Sequence, residues 1–406
     1  MLAAFETDAE EFRTRRTMAR RSGSPAWLWP EVPQSSWAEA ATEISRVAAS
    51  VLGGERPFVS PCDTKALSLA CYTTGVGPLL GWWVQAEILR TDAETGALLD
   101  IHLEQSRLRH ARVSALSREI VRSLRTAGLD TLVLKGGHTA HAYFPDPATR
   151  PSSDLDLLVR SDEAGDAQAV LDSAGFKCVG CQARESSWAP AGQAPDPGSL
   201  WLVHADDPWS VDLHSSLDFS ASSGGPLVRL DGARPFDECE PWPLDPTAGV
   251  LREPLFLLHL AVHASGGFHS LTLLRMIELV LVIRKDSAAG VLSWDEFLRI
   301  AEQTNALGAA YPALRLCEKL MPGTVPGRVL DRCALAAPPR VRRIVERLEP
   351  ATAQRIDRTS ISEHFMWVTG VSGWMRQLGS DLVPGSSLWP VYQARAYRLL
   401  RGRISR

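Results

Sequence analysis

The residues best suited to chemistry sit in one ten-residue run, RPSSDLDLLV, from Arg150 to Val159. Leu155, Leu157 and Val159 alternate with Asp154 and Asp156, which is the pattern of a strand with one apolar face and one acidic face. Acidic residues are depleted in strands, and a carboxylate there is costly unless something compensates it. Two carboxylates this close repel, and each then favours its protonated form. A divalent cation resolves both problems. Mg2+ takes oxygen ligands and is usually held by one or two carboxylates together with substrate phosphates. A second strand-like run, VDLH, puts Asp212 and His214 on one face and Val211 and Leu213 on the other. If the two strands are neighbours, three carboxylates converge. Such a set holds two metal ions about 3.5–4 Å apart around an in-line phosphoryl displacement.

A third piece is VLKGGHTA, where a short strand ends at Gly136-Gly137 and a helix follows. Glycines there let backbone approach a phosphate closely, and helix N-termini attract anions. Lys135 and His138 are further candidate phosphate contacts. The run is not a P-loop, which needs G-x-x-x-x-G-K-[ST]. His259 and His263 lie four apart on a helix and share a face. Leu260 stands where the H-E-x-x-H metalloprotease motif needs Glu, so these histidines read as core or as the lining of a pocket. His214 either orients Asp212 or packs under the sheet, and Arg150 either reaches a phosphate or pairs with an aspartate. Cys178 and Cys181 form a lone C-x-x-C whose nearest candidate co-ligands are Cys239 and His204. Reduced thiols are the preferred reading over zinc.

The elements that must position these groups follow from periodicity. Helical spacing runs through Trp37–Leu52, Ala66–Trp83 and Leu98–Leu124. Strands are expected at Thr131–Leu134 and in DLDLLVR, with a helix in DEAGDAQAVLDSAGF that stops at Gly175. SLWLVHADDPWSVDLHSSL reads as two strands joined by an Ala-Asp-Asp-Pro turn, and residues 186–198 as a connection. From Arg252 the chain is helical again, ending in the basic run YQARAYRLLRGRISR. The expected fold is α+β: a small mixed sheet in 126–245, flanked by helical regions in 1–125 and 246–406. The site is then expected between the sheet and the C-terminal helices.

Composition narrows the function classes. The net charge of −4 over 406 residues argues against binding long nucleic acid. No window approaches 18 uninterrupted apolar residues, so no membrane span is expected. The N-terminus lacks a basic region ahead of an apolar one, so a cytoplasmic location is expected.

Taken in order, strand-Gly-Gly-helix, D-x-D and a third strand Asp resemble the nucleotidyltransferase superfold of DNA polymerase beta and kanamycin nucleotidyltransferase. Within it the chain is most similar to a bacterial family of uncharacterised nucleotidyltransferases. The residues carrying the likeness are Leu134-Lys135-Gly136, Arg150, Asp154 to Val159, Val211 to His214, and His259 with His263, so the likeness covers roughly residues 100–270. The resemblance implies a transferase that moves a nucleoside monophosphate from ATP or another NTP to a hydroxyl, in the presence of Mg2+ or Mn2+, with release of pyrophosphate. Asp154, Asp156 and Asp212 would be the metal ligands and catalytic carboxylates. Lys135, Gly136, Gly137, His138 and Arg150 would contact nucleotide. His214, His259 and His263 would line the pocket. The acceptor would be a small biosynthetic intermediate or a peptide or protein hydroxyl. The alternative is an inactive member that serves as a binding partner in a biosynthetic pathway.

Overall fold

The computed structural model describes residues 5–60, 62–182, 184–222, 225–266, 271–353 and 365–382. The basic C-terminal run falls outside these. The described N-terminal part is helical: α1 (Ala9–Ser22), α2 (Gln34–Leu52), α3 (Thr64–Thr74), α4 (Gly77–Gln85) and the 34-residue α5 (Ala93–Thr126). In α2 the buried residues Trp37, Ala40, Ala41, Ile44, Val47 and Ala48 recur at three- and four-residue steps, as a one-faced helix requires. The single helix expected over Ala66–Trp83 is two. Gly75 takes a left-handed turn at φ 80° and Pro78 lies in the first turn of α4, so the chain bends between the two helices. Asp92 caps α5 by accepting from the Thr95 N–H at 2.8 Å.

The middle of the chain builds a mixed sheet. Its strands are β1 (Leu132–Val133), β2 (Asp154–Leu158), β3 (Phe176–Cys181), β4 (Glu185–Pro190), β5 (Ser210–His214), β6 (Cys239–Pro241) and β7 (Gly249–Leu251). The order across the sheet is β3-β4-β5-β2-β1-β7-β6. β2 runs parallel to β5 and antiparallel to β1. Helix α6 (Gly136–Ala142) follows β1, and α7 (Ala164–Ser173) follows β2.

Two expectations fail here. SLWLV is not a strand. Its polar groups go instead to the N-terminal segment: Trp29 Nε1 donates to the Leu200 carbonyl at 2.7 Å and Ser199 Oγ to the Phe5 carbonyl at 2.6 Å. Apolar burial without a ladder gives the same sequence pattern as a strand. Conversely, part of the supposed connection is β4. It pairs with β5 and forms a hairpin with β3, which carries exposed Cys178 and Cys181.

The C-terminal part adds α8 (Leu255–Ala264), α9 (Leu273–Ala288), α10 (Trp294–Gln303), α11 (Leu307–Leu320), α12 (Gly327–Ala336), α13 (Pro339–Arg347) and α14 (Gly370–Leu382). Among the described residues no helix is long and apolar enough to cross a membrane. The sheet is covered on both faces. Leu155, Leu157, Val211 and Leu213 pack with Ile120 and Leu124 of α5 and Leu171 of α7. Leu132, Leu134 and Leu158 belong to a larger core built from both flanks, including Ile44 and Leu67 with Leu257, Leu279 and Leu314.

Candidate functional site

The parallel pairing of β2 and β5 sets the acids. Asp156 lies directly opposite Asp212, and Asp154 opposite Ser210, while Leu155 and Leu157 turn to the α5/α7 core. One carboxylate oxygen from each of Asp154, Asp156 and Asp212 lies within 4.8 Å of the other two. Among the described residues this is the one His/Cys/Asp/Glu cluster tight enough to hold a metal ion. Asp212 Oδ1 is buried without a hydrogen-bond partner. An orphaned oxygen inside an all-oxygen donor set fits a hard divalent cation.

The three acids differ in environment. Burial pushes the Asp154 carboxyl up and Asp156 adds to it, against Lys135 and Arg150. Burial also acts on Asp156, but Lys135 and His214 outweigh it and hold that carboxyl well below the usual range. The Lys135 ammonium lies 2.5 Å from Asp156 Oδ1, and His214 Nε2 lies 3.0 Å from the same oxygen. Asp212 is pushed up to about 6, first by burial and then by Asp154 and Asp156, with a Ser187 hydrogen bond opposing them. So His214 braces Asp156, across the strands, where the sequence left it beside Asp212 or under the sheet.

The turn after β1 is tight. Lys135 has φ 46° and ψ −127°, which is strained for a residue with a side chain. A Cβ at Gly136 would overlap the Arg150 guanidinium, so glycine is what lets Arg150 lie over the turn. A Cβ at Gly137 would meet Val133 Cγ1 at 2.8 Å and Leu155 Cδ1 at 3.2 Å, so this glycine serves the packing of α6 on the sheet. His138 is buried between Phe256 and Tyr143, at ring-centroid distances of 4.9 Å and 5.6 Å. It does not line the cavity that Asp154 and Asp156 border. Arg150 pairs with a glutamate, not with an aspartate: its Nε donates to Glu278 Oε1 at 2.9 Å and its Nη2 to Oε2 at 3.3 Å. Thr139 Oγ1 donates to the same Glu278 Oε1.

The histidines of α8 divide. His263 Nε2 lies 2.9 Å from Lys135 Nζ, and its Nδ1 lies 2.9 Å from Arg275 Nη1. His259 is buried, its Nε2 has no partner, and burial pushes its pKa down to about 3. It lines a small cavity of about 120 Å³ with His214, His263, Glu185 and Phe219. A larger cavity of about 440 Å³ lies against Asp154 and Asp156. Lys135, Gly136, Arg150, Ser152, Asp154 and Asp156 line it, with Arg109 from α5, Arg275 from α9 and Tyr72 from α3. Its volume is that of a small-ligand site, and four of its lining residues are cationic.

Sequence reasoning missed Arg109, Arg275, Glu278 and Tyr72. Arg275 and Glu278 had a readable signal, two charges three apart inside the apolar run LLRMIELVLVI. Arg109 had none, because α5 carries many charges. It is buried and donates to the carbonyls of Asp207, Pro208 and Ser152 instead of to a carboxylate.

A family model described as "Uncharacterised nucleotidyltransferase" matches residues 71–322, which is over half of the chain and holds every residue of this site. No curated protein and no solved structure matches.

Proposed function

The chain belongs to the uncharacterised nucleotidyltransferase family, and from that premise we propose that it transfers a nucleoside monophosphate from an NTP to an acceptor hydroxyl, releasing pyrophosphate. The observation that carries this reading is the acid cluster: Asp154, Asp156 and Asp212 each bring one oxygen within 4.8 Å of the others, and Asp154 and Asp156 line a cavity of about 440 Å³ together with four cationic residues. Asp154, Asp156 and Asp212 would hold the divalent ion, Mg2+ or Mn2+. When bound, the ion neutralises charge on the triphosphate and lowers the pKa of the acceptor hydroxyl.

The remaining roles belong to the chain itself. Gly136 opens the turn to close approach of the triphosphate, and Arg150, locked to Glu278, presents its guanidinium beside that turn. Arg109, Lys135 and Arg275 compensate the rest of the polyphosphate charge. Asp212, whose Oδ1 has no other partner, is also the group assigned to receive the acceptor proton. Positioning and charge compensation then carry most of the catalysis, as phosphoryl transfer allows. The acceptor is a small molecule or a hydroxyl side chain of a peptide or protein. The net charge of −4 weighs against a long nucleic acid.

The test is incubation of the protein with each α-labelled NTP, Mg2+ or Mn2+, and fractions of small-molecule and peptide acceptors. Label transfer with stoichiometric pyrophosphate is expected, and Asp154→Asn with Asp156→Asn should abolish it. Transfer that survives the double substitution contradicts the assignment.

A further inference from the structure

Asp156 is compensated in a way the other two acids are not. Its Oδ1 takes the Lys135 ammonium at 2.5 Å and His214 Nε2 at 3.0 Å. Asp212 Oδ1 has no partner, and Ser152 Oγ is 3.4 Å from Asp154 Oδ1. A positive charge therefore sits on one carboxylate of the cluster assigned above to a divalent cation. An ammonium group and a divalent ion on one carboxylate repel each other at short range.

Lys135 is itself under-served on its other side. Its Nζ meets His263 Nε2 at 2.9 Å, and Arg275 Nη1 meets His263 Nδ1 at 2.9 Å. Burial, with Lys135 and Arg275 beside it, holds the His263 pKa well below its ordinary value, so the ring is neutral. A neutral imidazole has one acceptor nitrogen and one N–H. Only one of its two cationic neighbours can be accepted, and the other faces a hydrogen. Among the described residues Arg275 has no ion-pair partner to make up the difference. Both cations line the cavity of about 440 Å³. Buried positive charge that lacks a full set of acceptors is the complement of a polyanion.

We propose that Lys135 is an internal counter-ion: it occupies Asp156 while the cavity holds no nucleotide, and an entering triphosphate draws its ammonium away, freeing the Asp156 carboxylate for the metal. The inference rests on the nucleotidyltransferase reading and deepens it by making nucleotide and metal binding cooperative through one side chain. The exchange needs only side-chain rotation. The backbone is pinned on both sides, by the turn at Lys135 and by the Arg150 guanidinium packed on Gly136.

The test is Mn2+ binding to the full chain, read as free Mn2+ by electron paramagnetic resonance, with and without a non-hydrolysable α,β-methylene NTP analogue. Lys135→Met removes the ammonium, and Lys135→Gly removes it and also suits the positive φ. Both variants should bind Mn2+ without nucleotide at least about tenfold more tightly than the native chain. The gain conferred by the analogue should shrink in both. A lysine that serves only the phosphates would leave Mn2+ affinity without nucleotide unchanged, and a structural lysine would lower it. Either result, in a variant whose thermal melt is native-like, overturns the counter-ion role and leaves the transferase reading standing. A native chain that binds no Mn2+ even with the analogue overturns both.

Discussion

At the residue scale the acids and the glycine turn were legible because their chemistry is local. D-x-D, VDLH and LKGG each encode a face or a turn within a few residues. The partners were not legible, since they lie far away in sequence. Arg150 meets Glu278 128 positions on, and His214 braces Asp156 58 positions back. Two predictions belong at this scale. Asp212 is raised to about 6, so between its unfolded value near 4 and about 6 the folded chain binds a proton more tightly than the unfolded chain. That contribution is present at low pH and is lost as pH rises through about 6. A divalent ion replaces it only once the proton has left. The rise in melting temperature on adding Mg2+ should therefore be largest above pH 6 and shrink as pH falls below it, and Asp212→Asn should flatten the dependence. The second concerns Gly136→Ala, whose methyl group displaces the Arg150 guanidinium. Overpacking of this kind costs about 1–3 kcal/mol, and NTP affinity measured by calorimetry should fall with it.

Elements explain why the acids are affordable where they stand. β2 and β5 present Leu155, Leu157, Val211 and Leu213 to α5 and α7, and this burial fixes the register that pairs Asp156 with Asp212. On the other face α9 brings Glu278 to Arg150 and Thr139, tying the turn after β1 to the C-terminal helices. Removing one member of a buried pair leaves the other charge uncompensated, at a cost of about 3–5 kcal/mol. Glu278→Ala should destabilise by that order in urea unfolding. Arg150→Met with Glu278→Met should recover most of the stability but not NTP binding, which separates the pair's structural role from its place at the cavity. The hairpin of β3 and β4 escaped the sequence because Cys178 to Cys181 is exposed and irregular, with a register shift between Cys178 and Gly180. SLWLV misled in the opposite sense, being buried yet bonded to the N-terminal segment.

For the whole molecule the sequence divided the chain into 1–125, 126–245 and 246–406. The larger core takes Ile44 and Leu67 from the first of these and Leu257, Leu279 and Leu314 from the last, so the flanks share one apolar interior. We propose that they unfold together. Leu67→Ala, at a position 2% exposed, should cost about 2–5 kcal/mol. It should lower one cooperative transition monitored by both fluorescence and circular dichroism, rather than splitting off an early N-terminal one. The same arrangement puts Tyr72 and Arg109, Lys135 and Arg150, and Arg275 around a single cavity, so the proposed nucleotide would touch all three stretches of the chain.

The most direct measurement is anomalous diffraction from crystals grown with Mn2+ and a non-hydrolysable NTP analogue. The account predicts a manganese peak shared by the carboxylates of Asp154, Asp156 and Asp212, with the triphosphate against the Gly136 turn and Arg275. Manganese or nucleotide bound elsewhere, with the three aspartates free of metal, would contradict it.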